Sequence, residues 1–500
     1  MPFMHNKLDR RSFLKLLAAA GAATAIPPLW PKAAQADIGQ ALLVSDIHFN
    51  AFYDSSLVSD LMRSPASQWN AIFASSPDKR LGRYGQETNF NLLDCGLKSM
   101  KAACASPDCV IYTGDLPCHG IWQKLEGYSS DENQRNQFIT KLVEFIGLRF
   151  RSMYPGVPVY FVLGNNDSFC QDYKITPRGE YLQATAAPFL QIFLGSPEPA
   201  SAFYEDYQNL GCYNLPGPGP GLRVVALNSN YMSVHWSCQC CPGPAGDPAS
   251  EQLDWLEAQL AAAVNNGDAV WLLMHIPPGI NAYNTVKLVD PQGKLQKVGL
   301  DLVEEHNARL LAIMQKYAGV LRASFAGHTH MDHFRAIRQG REAAAMQRIT
   351  PALNALFGGN PAYQVLRYSR SDFVIQDLVT YYLNLEDALM LPGPGEGDDG
   401  SQLQYPPWRW EYAFGPAYGT RDLSPAALSA LSQSMRANRD LRESFRLFYN
   451  ASRQSAPAFS QAQAKVYWCA LAHLDPQEYV DAFNSTELTA RISQSRSRAA

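Results

Sequence analysis

Five short apolar runs in this chain each lead into a cluster of aspartate, asparagine or histidine. Ala41–Val44 runs into Ser45-Asp46-Ile47-His48, and Val110–Tyr112 into Thr113-Gly114-Asp115. Val157–Leu163 runs into Gly164-Asn165-Asn166-Asp167, and Val270–Met274 into His275. Ala323–Phe325 is followed closely by Gly327-His328-Thr329-His330. Continuous apolar runs of this kind suit strands buried on both faces. Helical periodicity lies between them, clearest at Glu251–Val264 and Asp301–Tyr317. Strands alternating with helices predict an α/β layered fold. In such folds ligands gather beyond the strand ends, which is where the polar clusters fall.

Leu391–Gly400 reads Leu-Pro-Gly-Pro-Gly-Glu-Gly-Asp-Asp-Gly, a linker by composition. Past it the β-rich runs stop, and Ser424–Asn450 and Gln461–Phe483 carry helical patterns. The expected division is a signal segment at 1–36, a catalytic region at 37–390 and a small, mainly helical subdomain at 391–500. Pro216–Gly221 reads as a loop between elements. With 46% hydrophobic and 18% charged residues, the chain has the composition of a folded globule. A formal net charge of -4 and no polybasic run give no reason to expect nucleic acid or an anionic membrane as partner. The oligomeric state is not legible.

Residues 1–36 read as an export signal. Arg10-Arg11-Ser12-Phe13-Leu14-Lys15 has the twin-arginine pattern, an apolar stretch runs from Leu16 to Ile26, and Ala34-Gln35-Ala36 is a small-x-small cleavage site. Asp37 would be the new N-terminus. No later run approaches the ~18 apolar residues that a spanning helix needs, so no membrane anchor is expected after signal removal. The expected location is the periplasm or the exterior. Twin-arginine export carries chains that have already folded, which suits a metalloenzyme. Disulfides become possible there. Among ten cysteines, Cys238, Cys240 and Cys241 lie close together, where disulfides or free thiols are expected over a zinc knot.

Two aspartates (Asp46, Asp115), one asparagine (Asn165) and four histidines (His48, His275, His328, His330) follow these runs. Imidazole and carboxylate ligands suit zinc, iron or manganese. Seven ligands exceed the needs of one metal and fit two divalent cations sharing a carboxylate. Such a pair clamps a phosphoryl oxygen and lowers the pKa of a bridging water, and the hydroxide formed attacks phosphorus in line. Each piece alone has a plainer reading: Asp-x-His as a cap with a surface histidine, Gly-Asp as a turn, a lone histidine as a loop or core residue. The ordered set is hard to produce by chance.

This ordered set, Asp46-x-His48, Gly114-Asp115, Gly164-Asn165, His275 and Gly327-His328-x-His330, resembles the calcineurin-like metallophosphoesterases. Finer matches resemble their acid sphingomyelinase-like phosphodiesterase branch. These are Gly114-Asp115-Leu116-Pro117-Cys118-His119 with Trp122, His275-Ile276-Pro277-Pro278-Gly279, and Asp247-Pro248 with Gln252-Leu253-Asp254-Trp255-Leu256. Asn360-Pro361-Ala362-Tyr363 and Thr380-Tyr381-Tyr382-Leu383-Asn384-Leu385 extend the match, which runs from Leu42 to Tyr449. The resemblance implies a four-layer β-sandwich flanked by helices, with a phosphate-ester substrate. It implies Asp46, His48 and His330 on one metal, Asn165, His275 and His328 on the other, and Asp115 bridging. Zinc is the first choice of metal.

One position departs from that family. Its usual histidine after the metal-binding asparagine is Asn166 here. An amide donates a hydrogen bond to phosphate but delivers no proton near neutral pH. The remaining acid is His119, whose counterpart in the branch is a proposed proton donor. Tyr381 lies in a segment that the resemblance brings toward substrate. The main reading is an exported phosphodiesterase. Two alternatives stand: a polyphosphate or nucleotide phosphoanhydride hydrolase, whose good leaving group needs no acid, and a metal-bound but inactive binding protein.

Overall fold

The computed structural model describes residues 37–197, 200–238, 240, 246–340, 342–390 and 407–488. The expected signal segment with its cleavage site, the linker at 391–400 and Cys241 lie outside these residues. From Gly39 onward the described residues form one compact unit.

In chain order the strands are β1 (Ile38–Val44), β2 (Cys109–Tyr112), β3 (Val159–Phe161), β4 (Tyr213–Pro216), β5 (Leu222–Ala226) and β6 (Ala269–Leu273). They continue as β7 (Leu321–Ala326), β8 (His333–Gln339), β9 (Glu342–Ile349), β10 (Ala362–Ser369), β11 (Ile375–Tyr382) and β12 (Arg409–Ala413). Two six-stranded sheets result, ordered β12-β11-β10-β1-β2-β3 and β4-β5-β6-β7-β9-β8. All five expected strands are present. The loop at 216–221 turns the antiparallel pair β4–β5. β2 and β6 are buried at every residue, which is why their sequences are continuously apolar.

The principal helices are α1 (Phe90–Ala103), α2 (Glu132–Met153), α3 (Ala200–Leu210), α4 (Pro248–Asn266) and α5 (Glu304–Lys316). Beyond the sheets come α6 (Pro425–Ala437), α7 (Arg439–Tyr449), α8 (Gln461–Cys469) and α9 (Pro476–Ser485). Local chemistry sets their ends. Asp247 caps α4 by accepting from Ser250 N, Pro248 opens it, and Gly267 closes it at φ 73°. The helical pattern at 424–450 is two helices, because Asn438 takes an extended conformation and caps α7 through Asp440 N and Leu441 N. The pattern at 461–483 breaks likewise at Asp475, which caps α9 ahead of Pro476. The C-terminal part is mainly helical, as expected. It also supplies one strand that the apolar pattern does not announce, β12, paired antiparallel with β11.

Strands β1, β2 and β3 run parallel, and so do β5, β6 and β7. The sheets pack face to face: Trp271 of β6 meets Tyr368 of β10 edge-on at 4.9 Å, within a continuous apolar core. The carboxyl ends of the central parallel strands therefore meet at one edge of the sandwich.

Candidate metal centre

The loops leaving those strands are stitched together by their backbones. Asp46 N–H donates to Gly114 O and His48 N–H to Asp115 O, both at 3.0 Å, and Gly327 N–H donates to His275 O at 3.0 Å. Five of the seven candidate ligands hold positive φ: Asp46 at 46°, His48 at 44°, Asp115 at 64°, His328 at 70° and His330 at 63°. Left-handed backbone costs a residue with a Cβ about 1–2 kcal/mol. Such strain persists where the surroundings over-determine it, and it gathers at functional sites. The glycines before the ligands answer to space as well. A Cβ on Gly164 would collide with the Asp115 carboxylate, and one on Gly327 with Ser45 and Asp46.

The side chains converge in two halves. In one, His48 Nε2 and His330 Nε2 lie 3.2 Å apart, with Asp46 Oδ1 3.4 Å from His330. In the other, Asn165 Oδ1 lies 3.0 Å from His275 Nε2 and 2.9 Å from His328 Nδ1. Asp115 Oδ2 sits between them, 3.2 Å from His48 Nε2 and 3.4 Å from His275 Nε2. Asp46, His48 and His330 bring one ligand atom each to within 4.8 Å of one another, and so do Asp46, Asp115 and His275.

Each histidine turns its outer nitrogen to a fixed partner. His275 Nδ1 donates to Thr113 O at 2.7 Å and His48 Nδ1 to Pro117 O at 3.2 Å. His330 Nδ1 lies 3.3 Å from Asn354 Oδ1, and His328 Nε2 3.4 Å from the Tyr173 hydroxyl. That assignment leaves four lone pairs aimed into the cluster, as metal-binding imidazoles require. Protons alone divide this set. Burial drives His328 down to about 4 and His330 well below its usual range. Burial also disfavours charge on His275, but Asp115 outweighs it and raises that imidazole to about 9. Asp115, buried yet facing His275 and His48, is held well below the carboxylate range. Two Nε2 atoms in contact at 3.2 Å, beside carboxylate oxygens, fit cations better than protons.

The other residues around the candidate ligands divide. Asn166 lies inside the site: its N–H donates to Asp115 Oδ1 at 2.8 Å and its amide to Oδ2 at 3.1 Å. His119 borders it, with its ring stacked on His48 at 4.2 Å between centroids. Asp167 anchors its loop, accepting from Gly164 N at 2.7 Å, Asp115 N at 2.9 Å and Leu116 N at 3.1 Å. Asn230 is buried structure, donating to Leu163 O and Gly164 O. His333 meets Thr329 Oγ1 at 3.1 Å outside the cluster. Tyr381 is not brought to the cluster. Its ring stacks on Tyr363 at 5.3 Å, and the Tyr363 hydroxyl bonds Ser99 on α1. The alternation of β11 turns Tyr381, with its register partner Tyr363, to the side of the sheet that α1 covers.

Comparison with known proteins decides the family. Residues 40–332, more than half of the chain, match the model described as calcineurin-like phosphoesterase. The chain belongs to the calcineurin-like phosphoesterase family. Residues 343–489 of this phosphoesterase match the acid sphingomyelin phosphodiesterase C-terminal region. It is 25% identical over 460 residues to acid sphingomyelinase-like phosphodiesterase 3b of Homo sapiens, covering 89% of this chain and 90% of that one. It is 26% identical over 470 residues to cyclic GMP-AMP phosphodiesterase SMPDL3A of Mus musculus, covering 91% and 94%. To sphingomyelin phosphodiesterase of Homo sapiens it is 26% identical over 432 residues, covering 83% of this chain and 60% of that one. Residues 7–27 match a twin-arginine translocation signal, so this phosphoesterase carries an export signal to the periplasm or the exterior. Among the described residues no helix is long and apolar enough to cross a membrane.

Several residues that shape the phosphoesterase site escape sequence reading. Asn354 holds His330, Glu87 holds His119 at 3.0 Å, and Asp172 accepts from the Asn165 amide at 2.5 Å. Asp172 and Tyr173 had a usable signal, since they share the loop that carries Asn165. Glu87 and Asn354 had none. Cys240 forms a disulfide with Cys170 in the Asn165 loop, and Cys238 is disulfide-bonded as well.

Proposed function

We propose that this enzyme is an exported dinuclear-metal phosphodiesterase, with Asp46, His48 and His330 holding one cation and Asn165, His275 and His328 the other. Asp115, between the two halves, is the shared ligand. The observation that carries this reading is the position of Asp115 Oδ2 within 3.4 Å of one imidazole from each half. Zinc suits the donor set first, with iron or manganese also compatible. Bound there, two divalent cations supply Lewis-acid charge and water activation for attack on phosphorus. The family's relatives include proteins named as phosphodiesterases of cyclic GMP-AMP and of sphingomyelin, which supports a diester substrate.

The chain's own groups supply the rest. The Asn166 amide, at the Asp115 carboxylate, is placed to donate a hydrogen bond to a phosphoryl oxygen. It delivers no proton. His119 is the group we assign to protonate the leaving oxygen, because its ring borders the cluster, stacked on His48, without belonging to either half of the ligand set. The backbone strain at five ligands preorganises the site, so little reorganisation is left for the reaction.

The test is hydrolysis of bis-p-nitrophenyl phosphate, p-nitrophenyl phosphate, ATP and polyphosphate side by side, with metals per chain determined and Asp115→Asn in parallel. Diester turnover that falls about 1000-fold in Asp115→Asn is the expected outcome, a loss of several kcal/mol of transition-state stabilisation. Turnover of ATP or polyphosphate alone moves the assignment to phosphoanhydride hydrolysis. Two bound metals with no turnover moves it to a binding protein.

A further inference from the structure

Beside the cluster stands a carboxylate with no place in the metal set. Glu87 precedes α1, and its residue is only 9% exposed. Its Oε1 accepts two hydrogen bonds from one residue: the backbone N–H of His119 at 2.6 Å and the His119 ring Nδ1 at 3.0 Å. Its Oε2 accepts from Lys124 Nζ at 3.2 Å. Burial pushes the Glu87 carboxyl up, but the His119 hydrogen bond and the Lys124 charge outweigh it, so the group stays ionised. A buried carboxylate held by three donors is a rigid strut rather than a solvated surface charge.

What the strut fixes is a ring at the mouth of the site. His119 lies nearly parallel to His48, at 17° and 4.2 Å between centroids, and Phe357 stands edge-on to it at 6.3 Å. With Nδ1–H committed to Glu87, only Nε2 is left to face outward, and the His119 side chain keeps 35% of its exposure. A carboxylate on the far nitrogen of an imidazole selects its tautomer and ring orientation. We propose that Glu87 is a positioning residue that acts through His119, orienting Nε2 toward the leaving oxygen of the diester. This rests on the phosphodiesterase reading above. In the step it serves, a water oxygen bonds phosphorus while the bond from phosphorus to the leaving oxygen breaks. The leaving oxygen keeps that electron pair and takes the proton from His119 Nε2. The proton released by the water passes to solvent, from which His119 is recharged.

The experiment compares wild type, Glu87→Gln, His119→Ala and the double variant on two diesters of similar shape. Bis-p-nitrophenyl phosphate has a good leaving group and diphenyl phosphate a poor one. Proton donation matters most for the poor one, where general acid catalysis contributes on the order of 100-fold or more. Glu87→Gln is expected to lose roughly 10 to 100 times more kcat on diphenyl phosphate than on bis-p-nitrophenyl phosphate, a typical range for an outer partner of a working imidazole. Adding it to His119→Ala is expected to cost nothing further, since the two act as one unit. Metals per chain should not change. Equal losses on the two diesters, or additive losses in the double variant, overturn the positioning role while leaving the diesterase reading intact. Loss of a metal from Glu87→Gln also overturns it, because Glu87, His119 and His48 bring ligand atoms within 4.8 Å and would then be a cation site. A wild type that turns over neither diester overturns the diesterase reading first, and this inference with it.

Discussion

Asn354 shows how a single amide organises two candidate ligands. Its Nδ2 donates to Asp46 O at 2.6 Å, and its Oδ1 faces His330 Nδ1 at 3.3 Å while also accepting from Leu356 N at 2.8 Å. It therefore holds the strained Asp46 turn and selects the His330 tautomer together. Asn354→Ala is expected to weaken cation binding about 10- to 100-fold with the fold retained, the usual cost of removing an outer partner. Isothermal titration of the metal-free protein with zinc, alongside far-ultraviolet circular dichroism, measures both. The candidate ligands were legible in the sequence, because each follows an apolar run and three of them, Asp115, Asn165 and His328, stand directly after a glycine that close packing demands. Asn354 was not. It lies 308 residues from Asp46, and only the meeting of β1 with the loop after β9 joins them. The face that Tyr381 takes was not legible for the same kind of reason. A family-like segment gives its strand, and strand alternation then decides which face it takes.

At the scale of elements, the loop that carries Asn165 is the least regular part of the site and the most heavily tied. Cys170 bonds Cys240 across 70 residues, Ser237 N–H donates to Tyr173 O at 3.3 Å, and Trp236 Nε1–H to Ile175 O at 3.0 Å. Cross-links closing long loops stabilise by roughly 2–4 kcal/mol. Cys170→Ser is expected to lower the urea midpoint, with a steeper slope because the unfolded chain freed of this cross-link exposes more surface. A second element-level effect lies where α3 packs on α4. Trp255 Nε1–H donates to Asp206 Oδ1 at 3.0 Å. Burial raises the Asp206 carboxyl from 3.8 to about 6, against the lowering effect of Trp255. The folded state thus binds this proton more tightly than the unfolded chain. Below pH ~4 both states are protonated and nothing is lost. As pH rises toward 6 the folded state must give up a favoured proton, so stability falls across that window and stays reduced above it. Asp206→Asn keeps an acceptor for Trp255 without the charge. Its melting temperature should match wild type near pH 4 and exceed it at pH 7.

For the whole molecule, the two sheets and the centre are one thermodynamic object. All seven candidate ligands lie in loops at the edge where the two sheets meet, so cations bound there would favour the folded state alone. Stabilisation by a bound ligand grows as the logarithm of its excess, reaching about 4 kcal/mol at a thousandfold excess over Kd. Dialysis against a chelator is therefore expected to lower the melting temperature, and zinc or manganese to restore it. A melting temperature indifferent to both would show that the folded centre does not take up these ions.

The sequence by itself determined the local features: which runs become buried strands, where helices are capped, which residue types stand at the strand ends, and that the chain is marked for export. These depend on neighbours a few positions away, through apolar periodicity, capping chemistry and glycine spacing. Tertiary structure alone decided the pairing of the outer strands, including β12, and the face that Tyr381 takes. It also decided the partners Asn354 and Glu87 and the bond between Cys170 and Cys240. Each of these joins groups dozens to hundreds of residues apart. Such contacts follow from which sheet edge and which loop happen to meet, and a linear pattern of hydrophobicity carries no record of that meeting.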